Sequence, residues 1–116
     1  MRKLLRQGES TNQAVLYTLL VPVQNGTSKD ILEWVQDHVL RRFGGLTTLA
    51  QSQGWWIGPS GTVYADDVWP IQCVVARTTD AEDWFRSLAA EIAANAGCQE
   101  VFVLKQPVIR LRGSSE

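Results

Sequence analysis

Residues 41–56, RRFGGLTTLAQSQGWW, decide the fold that we predict for this chain of 116 residues. Two arginines and a phenylalanine precede a glycine pair, which suits the end of a helix because glycine adopts the left-handed conformation that satisfies the last carbonyls. Alternating Leu, Thr and Ala then predict a strand over residues 46–51. Residues 52–54 predict a break or bulge, and Trp55 and Trp56 open the first limb of a hairpin.

The sequence before this stretch predicts a strand and an amphipathic helix. Residues 14–23, AVLYTLLVPV, carry apolar side chains at both alternations, which is typical of a strand covered on both faces. Residues 24–26 have turn chemistry, and Thr27 or Ser28 is a suitable helix cap. Five apolar side chains of the helix fall within one arc of roughly 120°, as expected for a helix lying on a core. They are Ile31, Leu32, Val35, Val39 and Phe43.

The sequence after it predicts the second half of the domain. The hairpin turns at residues 58–61 and returns over residues 62–64, and Asp66 with Asp67 marks a bulge or twist before a strand over residues 68–76. Thr79 or Asp80 caps a second helix, which Gly97 ends. A last strand begins at residue 101 and, past a proline, continues as an edge strand.

The order strand, helix, strand, strand, helix, strand predicts an α+β protein with the ferredoxin-like βαββαβ fold. This fold has four antiparallel strands with both helices on one face of the sheet. We expect residues 1–12 to form a flexible arm, residues 13–112 a single domain and residues 113–116 a tail. A chain of this length buries about two-thirds of its unfolded surface without metals or disulfides.

Two helices cover only one face of such a sheet, yet three of its strands carry apolar residues at both alternations. An antiparallel sheet with one solvated face usually alternates cleanly, and a large apolar patch usually marks an interface or a ligand groove. We therefore predict a homodimer through the uncovered sheet face, of the dimeric α+β barrel type. The interface residues that we predict are Tyr17, Trp69 and Phe102.

Composition and motifs exclude several classes of function. A net charge of −1 and a pI near 5.8 disfavour a broad nucleic-acid surface. The longest apolar run, residues 15–23, is far short of the ~20 residues of a membrane helix, and the first residues lack the apolar segment of a signal peptide, so we expect a cytoplasmic protein. Cys73 and Cys98 lack metal-site spacing and are predicted to be buried free thiols; we expect no metal and no cofactor. No phosphate-binding loop or serine nucleophile motif is present.

Arg42-Phe43-Gly44-Gly45-Leu46-Thr47, Gly54 before Trp55, Gly61, Asp66 and Pro107-Val108 carry a family resemblance. The chain resembles an uncharacterised family of small bacterial proteins with the pattern R-F-x-x-G-L-T, then G-x-W, a further glycine and a carboxylate. The resemblance covers roughly residues 14–112 and implies the ferredoxin-like fold and a bacterial source, but no activity. The chain departs from the pattern in its shorter glycine turn and in Trp56, where the family tends to be polar, and no catalytic residue is carried over.

Five residues are candidates for binding a small ligand: Trp56, Arg42, His38, Tyr64 and Trp55. The two tryptophans are adjacent in a strand and are predicted to point to opposite sheet faces, one into the core and one outward to a dimer partner or a ligand. His38 lies on a flank of the first helix; histidine is the residue type most often able to carry protons near neutral pH, although a solvated helix residue is the commoner role. The guanidinium of Arg42 can bind a carboxylate through two hydrogen bonds, and Asp66 is favoured over an acidic ligand as its partner.

Three functions remain open. The favoured one is a homodimeric interaction or small-ligand-binding protein without its own chemistry. The second is an enzyme of the dimeric α+β barrel type, monooxygenase-like, with Trp56, His38 and Tyr64 near a pocket between helices and sheet; a single histidine leaves it few groups to move protons. The third is a nucleic-acid-binding sheet face that uses Tyr17 and Trp69, which lack the basic neighbours of such surfaces. The sequence does not decide whether the protein is an enzyme.

Overall fold

The structure, a computed structural model, describes residues 12–23, 28–77 and 79–115. Residues 1–11 of the predicted arm, the predicted turn at residues 24–26 and the capping candidate Thr27 lie outside the described residues. The described elements confirm an α+β protein. In chain order they are strand β1 (Gln13–Pro22), helix α1 (Ser28–Phe43), strands β2 (Thr47–Thr48), β3 (Ser52–Ile57) and β4 (Val63–Ala76), helix α2 (Glu82–Ala96) and strand β5 (Val103–Ile109).

The strands form one open antiparallel sheet in the order β2-β4-β1-β5, and β3 also pairs with β4. The prediction of four strands was wrong, because the edge strand is divided into two pieces. Thr48 lies opposite Ile71 and Ser52 opposite Val68. The edge strand therefore advances by four residues where β4 advances by three. The extra residue of this bulge lies at residues 49–51, where the sequence predicted regular strand, and residues 52–54, predicted as the break, are paired.

Strand β4 is 14 residues long and keeps one register throughout. Asp66 lies opposite Gly54 and Asp67 opposite Gln53, so the bulge predicted at these aspartates is absent. Both carboxylates project into water, which makes a regular strand compatible with their charge. The long strand therefore continues beyond the end of β1 without a change of face.

The hydrophobic core lies between one sheet face and the two helices. Tyr17, Leu19 and Val21 of β1 alternate onto this face and are buried. Val35 and Val39 of α1 pack on the same core, which confirms the predicted apolar stripe. From α2, the buried residues include Phe85, Leu88, Ala89, Ile92 and Ala96, the core face that the 3.6-residue period predicts.

Three aromatic rings join both helices to β1. Tyr17 stacks on Phe85 with ring centroids 4.5 Å apart, and Phe85 stacks on Phe43 at 5.2 Å. Tyr17 is therefore a core residue on the helix side, and its predicted place on the uncovered face was wrong. Trp69 lies opposite Val21 and packs against the same core, so it too is on the helix side. Strand β1 carries apolar residues at both alternations, so its sequence did not show which of its two faces the helices cover.

The sequence signals for the C-terminal ends of the helices were correct, whereas the signal for the start of α2 was not. Gly44 has a φ of 85° and its N–H donates to the Leu40 carbonyl at 2.8 Å, and Gly97 has a φ of 71° and donates to the Ala93 carbonyl. Both glycine stops are confirmed. The cap predicted for α2 at Thr79 or Asp80 was wrong: the cap position is Ala81, which makes no side-chain capping bond. Ala81 is buried, so packing rather than capping sets this helix start.

The sheet face opposite the helices carries apolar residues that nothing in the described chain covers fully. Phe102 is 59% exposed, Leu104 55% and Val74 43%. Phe102 keeps its predicted place on this face, because its carbonyl accepts a hydrogen bond from the N–H of Leu20, whose side chain points away from the helices. Among the described residues, this apolar face of the sheet is therefore uncovered.

Neither helix of the described chain has the length and apolarity needed to cross a membrane. Within residues 12–23, 28–77 and 79–115, no group of three or more His, Cys, Asp or Glu residues is arranged to hold a metal ion. Both cysteines are free thiols; Cys73 is buried, and Cys98 is half-buried rather than fully buried as predicted.

Cys73 predicts a loss of stability at alkaline pH. Burial raises the pKa of its thiol from 9.0 to about 11. Above pH 9 the unfolded chain loses this proton while the folded chain keeps it, so the free energy of unfolding falls as pH rises, by about 2 kcal/mol between pH 9 and 11. Urea unfolding across this range should show the loss in the wild type and less of it in Cys73→Ala. Parallel pH profiles for the two proteins would contradict this assignment.

Candidate functional site

A two-stranded ribbon, formed by β3 and residues 63–67 of β4, extends past the end of β1. We call this ribbon the arm; it does not include the N-terminal arm predicted for residues 1–12. The pairing of β1 with β4 ends at Pro22 and Val68, and from there β4 pairs with β3. Every residue of β3 and of residues 63–67 is exposed. The arm is therefore a ribbon with no third layer among the described residues.

The loop at residues 58–62 closes the arm. Gly58 donates its N–H to the Thr62 carbonyl at 2.9 Å, and Gly61 donates to the Gly58 carbonyl at 3.0 Å with a φ of 86°. A non-glycine residue would be strained at that φ. Thr62 thus leads into β4 in the register that sets Ile57 opposite Val63 and Trp56 opposite Tyr64.

Trp56, Tyr64 and Asp66 form the aromatic cluster on one face of the arm. The Trp56 and Tyr64 rings stack with centroids 4.5 Å apart and planes inclined by 19°. The indole Nε1 of Trp56 donates a hydrogen bond to Oδ2 of Asp66 at 2.7 Å. The cluster is thus held by both a cross-strand ring contact and a charge-assisted hydrogen bond.

Gly58 lies close beside the Tyr64 ring. It is buried, and a Cβ at this position would lie 2.8 Å from Cε2 of the Tyr64 ring and 3.7 Å from the Trp56 ring. The absent side chain therefore makes the room in which Tyr64 lies. The glycine is required here by close approach, since its φ is not in the left-handed region.

The cluster presents both apolar and polar binding groups to water. Trp56 is 50% and Tyr64 43% exposed. An ionised carboxylate accepts about four hydrogen bonds, and the indole of Trp56 occupies one such position on Asp66. This arrangement suits a ligand with a flat ring and with hydrogen-bond donors or a positive charge beside it.

The structure brings together only part of the predicted ligand site. Trp56 and Tyr64 meet, whereas Trp55 lies opposite Ala65 on the other face of the arm and is 67% exposed. The two tryptophans do point to opposite faces, but neither points into the core, because the arm lies beyond it. Trp56 and Tyr64 are accordingly on the arm and not at a pocket between helices and sheet.

The two helix candidates have partners of their own on α1. The Nδ1 of His38 donates a hydrogen bond to the Trp34 carbonyl at 2.9 Å, and its ring contacts the Trp34 ring at 4.2 Å. Arg42 lies over the Phe43 ring at 5.3 Å. The predicted pairing of Arg42 with Asp66 is absent, since Asp66 bonds Trp56 instead.

A groove of about 690 Å³, which the sequence did not predict, lies between α2 and β5. Its floor includes Tyr17, Ala93 and Val103. At its rim Glu82 accepts hydrogen bonds from Lys105 and from Arg86, which lower the pKa of Glu82, and Glu82 in turn raises the pKa of Lys105. The i,i+4 spacing of Glu82 and Arg86 predicts an ion pair on a helix. Lys105 is distant in the sequence, and only the fold brings it beside Glu82. These three exposed charges satisfy one another, whereas Glu100, which also lines the groove, makes no ion pair among the described residues.

Comparisons with known proteins support the fold. No family model matches the chain, and no curated protein matches it. A solved structure described as a phage SAM lyase in complex with S-methyl-5'-thioadenosine is similar, with a TM-score of 0.57 and 16% sequence identity over 80% of each chain. At this identity the likeness shows a shared α+β fold.

Gly58 provides a test of the cluster's geometry. Gly58→Ala places a methyl group against Tyr64, so we expect the ring pair to separate and its coupled near-ultraviolet circular dichroism to weaken. Gly54→Ala in β3 of the same ribbon is the control, because the nearest atom to the new methyl group there is 3.9 Å away. An unchanged spectrum in folded Gly58→Ala would contradict the packing described.

Proposed function

We propose that the protein binds a small ligand with a flat aromatic heterocycle at the aromatic cluster, without chemistry of its own. The observation that carries this proposal is the exposed stack of Trp56 on Tyr64 with the Asp66 carboxylate fixed beside it. Exposed aromatic faces attract planar rings, and stacking contributes about 1–3 kcal/mol per base. The carboxylate gives orientation, because a donor on a ligand that stacks on the rings can reach the remaining acceptor positions of Asp66 only when it lies beside Trp56.

An adenine nucleoside is the ligand class that we propose first. The similar structure was solved with S-methyl-5'-thioadenosine, and that ligand combines a purine ring with hydroxyl and amino donors. The purine ring matches the exposed rings of Trp56 and Tyr64, and the donors match the acceptor positions of Asp66. The succession of elements supports the ferredoxin-like description as well, with β2 and β3 together in the place of one edge strand.

The alternatives have less support from the described residues. The nucleic-acid reading needed Tyr17 and Trp69 on the open sheet face, and both lie on the helix side. The similar structure is that of a lyase, so an enzyme remains the second candidate. Incubation with SAM followed by chromatography separates the two: release of S-methyl-5'-thioadenosine that depends on Trp56 would favour the enzyme.

Calorimetric titration with S-methyl-5'-thioadenosine tests the proposed binding. We expect saturable binding that Trp56→Ala weakens roughly tenfold or more, since it removes the stacking surface. Asp66→Asn keeps the shape and the acceptor for the indole but loses the charge, so a smaller loss is expected. Trp55→Ala is the matched control, because it removes an equally large exposed ring from the opposite face. Absence of binding, or equal losses in both tryptophan variants, would overturn the proposal.

The homodimer through the uncovered sheet face is a further proposal, supported by the exposure of Phe102, Leu104 and Val74. Leu104→Lys faces water in a single chain and so should not disturb folding, but it should weaken a contact that buries this face. Light scattering should give the wild type a mass of at least twice 12.9 kDa and the variant a lower one. Leu111→Lys, at an exposed site outside the strands, is the control. Identical masses for wild type and Leu104→Lys would contradict this interface.

A further inference from the structure

The outer edge of β3 lacks the features that keep edge strands from pairing with other chains. Its sequence, SQGWWI, has no charged residue and no proline. Strand β5 at the other edge of the sheet, VLKQPVI, has Lys105 and Pro107. Charges and prolines are the usual protection of an edge, because they oppose the addition of another strand. One edge of the sheet is thus protected and the other is open.

The arm is also a poor structure by itself. Within the described residues β3 pairs with β4 alone, and a two-stranded ribbon is at best marginally stable in water. On the face opposite the aromatic cluster, Trp55 is 67%, Ile57 70% and Val63 60% exposed. A strand added beside β3 would widen this ribbon and give these apolar side chains neighbours on the same face.

We propose that the free edge of β3 pairs with β3 of a second copy of this chain, antiparallel about a two-fold axis. An antiparallel strand is complementary to itself under such an axis, so one surface serves both copies. The uncharged β3 has no side chain with which to select a differently charged partner. Pairing makes a four-stranded ribbon, which meets the minimum for a stable sheet.

This contact differs from the uncovered sheet face and does not rest on the proposed ligand. Residues opposite one another across a strand pair point to the same face. The two Trp55 and Ile57 sets therefore form one apolar face across the joint. The two aromatic clusters lie together on the other face, which brings Trp56 of both copies to one surface.

The test compares Ile57→Lys, which puts a charge on the open edge, with the control Leu111→Lys. Both side chains are exposed, Ile57 at 70% and Leu111 at 85%, so neither substitution should prevent folding of a single chain. By sedimentation equilibrium we expect Ile57→Lys to raise the dissociation constant of the dimer at least about tenfold and Leu111→Lys to leave it unchanged. A monomeric wild type across the micromolar range, or equal association of wild type and Ile57→Lys, would overturn the proposal.

Amide hydrogen exchange of the wild type provides a test without substitution. Outward N–H groups of β3 should be protected at concentrations where the protein is associated and should exchange rapidly on dilution. Rapid exchange of these amides in the associated protein would overturn the proposal. If Leu104→Lys alone abolishes association, the sheet face is the whole interface and the arm pairing is excluded.

Discussion

The unbroken register of β4 is the constraint on which the rest of the molecule depends. Residues 68–76 of this strand lie beside β1 and carry Ile71, Cys73 and Val75 into the core. Residues 63–67 of the same strand carry Tyr64 and Asp66 in the arm. Because no bulge interrupts the strand, the faces continue from one half to the other: Asp66 and Tyr64 share the alternation of Val74, on the side away from the helices. The buried half of the strand thereby anchors the exposed half.

The features that the sequence predicts well are those with one local cause. The stripe of Val35 and Val39 follows from a helical period, and Gly44 and Gly97 end their helices because they take a positive φ. The predicted bulge on the edge strand exists, but it lies a few residues earlier. Its position depends on how β2 and β3 share one long partner, and no local pattern records that.

The predictions that were wrong concern the sheet face on which a side chain lies and the residue with which it pairs. Strand β1 is apolar at both alternations, so its sequence does not tell which side the helices cover; the Tyr17–Phe85 stack decides it. Trp69 follows Val21 to that side through the register. Arg42 and Asp66 are complementary in charge, but Asp66 lies one cross-strand diagonal from Trp56 and takes the indole N–H instead. Opposite charges alone did not predict the partner.

The aromatic cluster was half visible in the sequence. Trp56 and Tyr64 were both candidates, but their contact depends on a loop that sets Ile57 opposite Val63, and on Gly58, whose missing Cβ makes room for the Tyr64 ring. Asp66 was read as a structural residue because it was expected in a bulge. Its regular place in β4 is what turns it towards the indole.

The contrast between the groove and the arm indicates where binding capacity remains. In the groove Glu82 is bonded by both Lys105 and Arg86, so a ligand that binds to any of these three groups would have to displace an existing partner first. In the arm Asp66 donates nothing, accepts one indole N–H and keeps further acceptor positions beside two exposed rings. Exposed tryptophan and tyrosine rings contribute little to the stability of a single chain, since stabilisation comes from the apolar surface removed from water. A surface that joins free acceptors to such rings gains most by burying them against a ligand or another chain, and the arm is the part of the described molecule where both conditions meet.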